Sequence, residues 1–69
     1  MELIMLINTT AERRHVACNS LEMAKEAWES HRDECWLGAS DMRTGNGNVM
    51  DIHGNKVAEV MYNGKIVEA

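Results

Sequence analysis

Four side chains raise the first chemical question: His15, Cys18, His31 and Cys35. Their spacing, His-x2-Cys-x12-His-x3-Cys, copies the ligand pattern of a small zinc finger. The elements that must position them weigh against that chemistry. Asn19 reads as the N-cap of a helix that starts directly after Cys18. Counted from that cap, His31 and Cys35 lie 12 and 16 residues on. At about 1.5 Å of rise per residue they stand roughly 18–24 Å away. Zinc holds all its ligands within about 2.0–2.3 Å. No metal and no other cofactor is therefore expected. The same separation argues against a Cys18–Cys35 disulfide, whose Cα atoms would need to lie about 4.4–6.8 Å apart. The two cysteines read as free thiols.

Cys35 and His31 lie on adjacent helical turns and are the one nucleophile–base pair the spacing offers. No third group stands out to orient the imidazole, and the plainer reading is a small core thiol beside an exposed histidine. Gly45-Asn46-Gly47 lacks the Gly-Lys-Ser/Thr ending and the following helix of a phosphate loop. Asp41, Asp51 and Glu59 fall on separate segments, as solvated positions. His53 sits in a Gly-Asn turn. No catalytic residue is assigned, and the chain reads as no enzyme.

The composition narrows the partners. The 69 residues make one small α+β domain, 1–69, with 45% hydrophobic residues. Eleven acidic residues against seven basic ones give a net charge of −4. Arg13-Arg14-His15 is the only basic cluster, and no aromatic residue interleaves it for base stacking, so nucleic acid is a disfavoured partner. Lysines and arginines interrupt the acids, which also disfavours mimicry of DNA. The apolar run Leu3–Ile7 is too short for a membrane span or a secretory signal, and Glu2 stands where a signal carries positive charge. The chain is expected to be cytoplasmic, with no membrane partner.

Periodicity supplies the elements. Residues 2–8 read as a strand, 9–12 as a turn and 13–18 as a possible second strand. From Asn19 to Glu34 runs the clearest helix, with Leu21, Ala24, Trp28 and Cys35 on one side and a capping-box partner at Glu22. Beyond it, residues 36–43, 48–52, 56–62 and 65–68 read as a strand meander. Gly- and Asn-rich turns punctuate it, with Asn63-Gly64 predicted as a type I′ hairpin. The expected fold is one helix packed on a small antiparallel sheet of four to six strands, order β(β)αββββ.

Coverage then points to a partner. A helix about 10 Å across shields about two strands spaced about 4.8 Å apart, and only on one face. Yet the first strand offers Leu3, Met5 and Ile7 on one side and Ile4 and Leu6 on the other. Residues 56–62 offer Ala58, Val60 and Tyr62 against Val57 and Met61. An antiparallel sheet wetted on one face alternates more cleanly. The surplus predicts docking against another protein or a second copy of the chain, with Leu6, Trp36, Val57 and Met61 as the binding surface. The six methionines suit an adaptable contact.

The capped helix Asn19-Ser-Leu-Glu-Met-Ala-Lys25, followed by the punctuated meander from Asp51 to Val67, resembles in layout small phage-encoded proteins that block a host machine, such as anti-CRISPR proteins and inhibitors of bacterial RNA polymerase. The resemblance implies a non-enzymatic inhibitor that occupies a protein surface, and it carries no site residues. The alternative is a small nucleic-acid-binding module, zinc-finger-like or acting through Arg13 and Arg14. A third reading is a small-ligand binder or minor enzyme using Cys35 and His31.

Overall fold

The structure, a computed structural model, describes residues 2–69. Five strands and one α-helix follow in the order β1 (Leu3–Asn8), β2 (Arg13–Cys18), α1 (Leu21–Glu34), β3 (Asn48–Asp51), β4 (Lys56–Val60) and β5 (Ile66–Glu68). The sheet is antiparallel throughout, with spatial order β2-β1-β3-β4-β5. Helix on antiparallel sheet is thus the architecture, and residues 13–18 are a full strand paired along β1.

Local chemistry explains α1. Ser20, not Asn19, is the N-cap: its hydroxyl accepts from the Met23 N–H at 3.1 Å. Ala24, Trp28 and His31, spaced by four and three residues, form the buried stripe. That stripe lies on Leu3, Met5 and Ile7 of β1, Cys18 of β2, Val49 of β3 and Ala58 and Val60 of β4, with Leu37 closing the core. The helix packs against β2, β1 and β4. Reaching from β2 to β4 spans three strand spacings, about 14 Å, more than a helix laid along the strands would cover. It therefore crosses the sheet obliquely and shields more of it than the expected two strands.

The predicted strand over 36–43 does not form. Its middle is a short 3-10 helix, Ala39–Asp41, tied down because the Asp41 carboxylate accepts from the Gly38 N–H at 2.8 Å. It meets the sheet only at its end, where Met42 forms an isolated antiparallel bridge to Thr9 and the Arg43 N–H donates to Asn8 O at 2.8 Å. The turn at Asn63-Gly64 is not type I′ either. Gly64 has φ +90°, but Asn63 does not enter the left-handed region. The Gly64 N–H donates to Met61 O, and the Met61 N–H to Lys65 O, both at 2.8 Å, giving a three-residue loop that ends on a left-handed glycine. A Cβ at Gly64 would also run into the Glu29 carboxylate.

Candidate interaction surface

The end of α1 sets the site. Cys35 is the C-cap, and the next two amides fold back: Trp36 N donates to Asp33 O at 3.4 Å and Leu37 N to Arg32 O at 2.9 Å. Those two bonds make a Schellman motif, whose first residue past the cap adopts the left-handed conformation and is usually glycine. Here that residue is Trp36, with φ 55°, the one non-glycine residue with positive φ among those described. A side chain in that region costs roughly 1–2 kcal/mol. Leu37 turns into the core, and Trp36 is left 91% exposed.

Next to it stands a fixed aromatic platform. The Tyr62 carbonyl accepts from Trp28 Nε1 at 3.0 Å and from Arg32 Nη1 at 2.8 Å. The Tyr62 hydroxyl donates to Leu37 O at 2.8 Å. Its ring meets Trp28 edge to face at 6.4 Å between centroids, and the Arg32 guanidinium lies 5.6 Å from its centroid. Asp33, bonded to Arg32 Nε at 3.0 Å, holds that guanidinium's pKa above its ordinary value. Met61, Tyr62, Asn63, Lys65 and Val67 line an open cleft of about 410 Å³. Met61 is 39% exposed and Val67 45%. The Tyr62–Leu37 bond ties the segment that carries Trp36 to the segment that carries Met61.

The four sequence-predicted residues thus divide. Trp36 and Met61 are exposed. Leu6 is only 9% exposed, because the turn at Gly45 lies over it: a Cβ on Gly45 would stand 3.2 Å from Leu6 Cδ2. Val57 falls where the β3–β4 register shifts, which breaks simple alternation, and it packs against the core. Val67 was missed: a two-residue turn at Asn63-Gly64 would set it opposite buried Val60, and only the three-residue loop places it across from Glu59. Tyr62's three hydrogen-bonding partners, Trp28, Arg32 and Leu37, lie 25–34 residues away in sequence, and no local pattern foretold them.

The open face is therefore mixed rather than a continuous apolar ribbon. Ile4 and Ile52 border a second, smaller groove of about 170 Å³ beside Ala17 and Asn19. An ion pair in β4, Lys56 Nζ to Glu59 Oε1 at 3.1 Å, adds charge to the strand beside the first cleft.

The histidine and cysteine sites reverse the sequence expectation: His31 is buried, 6% exposed, and Cys35 is exposed. His31 Nδ1 lies 3.5 Å from Glu12 Oε1 and 3.8 Å from Cys35 Sγ, while Nε2 is buried without a partner. A nucleophile–base–carboxylate relay needs the thiol on one ring nitrogen and the carboxylate on the other. Here both share one nitrogen. Cys18 is a free, buried thiol, and burial raises its pKa. Among the described residues no three His, Cys, Asp or Glu side chains converge to hold a metal ion. Nor is any helix among them long and apolar enough to cross a membrane. Asp41, Asp51 and Glu59 are engaged locally: the first two accept backbone N–H bonds in their own turns, and the third pairs with Lys56. Comparison with known proteins adds no relative: no family model, no curated protein and no solved structure matches this chain.

Proposed function

We propose that the chain is a non-enzymatic protein–protein interaction module that docks through Trp36 and the Met61–Tyr62–Val67 cleft. One observation carries this reading. The fold places a tryptophan in a glycine position, at a conformational cost, and leaves it in water. Packing does not call for that choice, since Leu37 and Trp28 fill the core around it. Interfaces are enriched in aromatic contact residues, and Trp36 is an exposed one. The layout resemblance extends the reading to inhibition by occupying a partner's surface.

Trp36→Gly tests the proposal. The variant keeps the backbone conformation and removes the contact. Immobilised wild-type chain retains a partner from cell extract that the Trp36→Gly chain does not. Sedimentation at rising concentration distinguishes a second copy from a different protein. A partner captured equally by both chains would sink the reading.

A further inference from the structure

Strand alternation gathers basic side chains on the face of the sheet that α1 leaves open. Along β2, Arg13 and His15 point to one side and Arg14 to the other. The register sets Arg13 beside Asn8 and His15 beside Leu6. On the other flank of β1, Met42 pairs with Thr9, and the Arg43 N–H donates to Asn8 O at 2.8 Å. Thr9 is buried and Met42 packs on the core. Arg43, one residue on, therefore takes the open side next to Asn8. The two arginines flank Asn8 at two strand spacings, about 10 Å, and His15 lies about 7 Å along β2 from Arg13. All three side chains are exposed.

The row is held stiffly. The Asn8 N–H donates to Asn46 Oδ1 at 2.8 Å, Asn8 Nδ2 to Thr44 O at 2.9 Å, and the Asn46 N–H to Arg43 O at 3.1 Å. Nearby acids have hydrogen-bonding partners of their own, although the Arg43 charge also acts on Asp41. Glu12 accepts from Arg14 Nε at 2.9 Å, and Asp41 accepts from Gly38 N and the Thr10 hydroxyl. Among the described residues neither Arg13 nor Arg43 forms an ion pair, in a chain of net charge −4.

We propose that Arg13, His15 and Arg43 form a docking site for an extended acidic segment of a partner protein, its carboxylates seated on the two guanidinium groups. Nucleic acid fits less well. The aromatic residues lie elsewhere: Trp28 in the core, Tyr62 against Leu37, and Trp36 at the end of α1. Base stacking has no platform here. The site uses none of the residues of the Trp36–Met61 surface, so the two readings fail separately.

Fluorescence anisotropy with a labelled decaglutamate peptide tests it. Saturable binding is expected at low salt, weakening as ionic strength rises. Arg13→Gln/Arg43→Gln lowers affinity at least about tenfold, the loss of two close charge pairs. Arg14→Gln/Lys25→Gln removes the same net charge from elsewhere and changes affinity less than about twofold. Circular dichroism confirms that both variants fold. No saturable binding, or equal loss in the two charge-matched variants, overturns the proposal. Tighter binding of a ten-residue oligothymidylate with the same dependence on Arg13 and Arg43 overturns the assignment of the partner to protein.

Discussion

Two tryptophans eight residues apart have opposite roles. Trp28, in the middle of α1, is fully buried, and its Nε1 donates to Tyr62 O. Trp36, just past the helix end, is solvated and sits in a left-handed backbone position. The first side chain holds the sheet and helix together. The second strains its own backbone and packs on little. Within α1, side-chain direction follows helical phase; past the Schellman turn, it follows the geometry of the stop. A residue that costs the isolated fold stability is where a binding role leaves its mark.

The largest expected effect tests the buried partner of that pair. Trp28→Ala removes the core's largest side chain and should cost about 3–5 kcal/mol, most of what a domain this small has. Urea denaturation reads it, and a loss under about 1 kcal/mol would break the contrast. At the other end of α1, Ser20→Ala should cost about 1 kcal/mol, since it strips the hydroxyl from the Met23 N–H. Trp36→Gly should act in the reverse sense, raising stability by about 0.5–1 kcal/mol while abolishing partner capture. A Trp36→Gly chain that is less stable than wild type would mean the indole does pack. Fluorescence sharpens the same comparison. The Trp36→Gly chain should keep a blue-shifted emission shielded from acrylamide, and the Trp28→Ala chain a red-shifted, quenchable one.

The smallest effect lies away from both tryptophans. The Gly38 N–H and then the Thr10 hydroxyl hold the Asp41 carboxylate below its ordinary pKa. The Asn55 N–H, with that of His53, does the same for Asp51. A carboxylate depressed in the folded state stabilises the fold above the unfolded value, near pH 4, and that contribution drains away as pH falls through the lower folded value. Thermal melts between pH 7 and 2 should therefore show an acid limb that Asp41→Asn and Asp51→Asn together flatten. Unchanged acid limbs in the double variant would show these turns to be energetically idle.

Much of the fold was legible because its causes are local. The 3.6-residue period of Ala24 and Trp28 announced α1, and apolar runs bounded by Gly and Asn announced the strands. The cap fell one residue early, because Asn19 and Ser20 are both competent and only the geometry chooses between them. Residues 36–43 read as a strand from composition. The Schellman turn at Trp36 and the Gly38–Asp41 bond instead fold them into a loop with a 3-10 turn. Of the candidate surface, Trp36 and Met61 were within reach, whereas Leu6 and Val57 were not separable from them. The turn over Leu6 and the register shift at Val57 are relations between segments some 40 and 8 residues apart, which no strand pattern encodes.

The amino-acid order by itself determined the element types, the antiparallel meander and the stripe that α1 buries, because these rest on side-chain period and on turn residues acting over a few positions. Only the tertiary structure decided which surplus apolar residues stay in water, that His31 goes in and Cys35 out, and that Arg13 and Arg43 flank Asn8 while Arg14 turns to the other face. Those outcomes depend on which strand lies beside which and on where the helix stops, and both are settled by contacts between residues far apart along the chain.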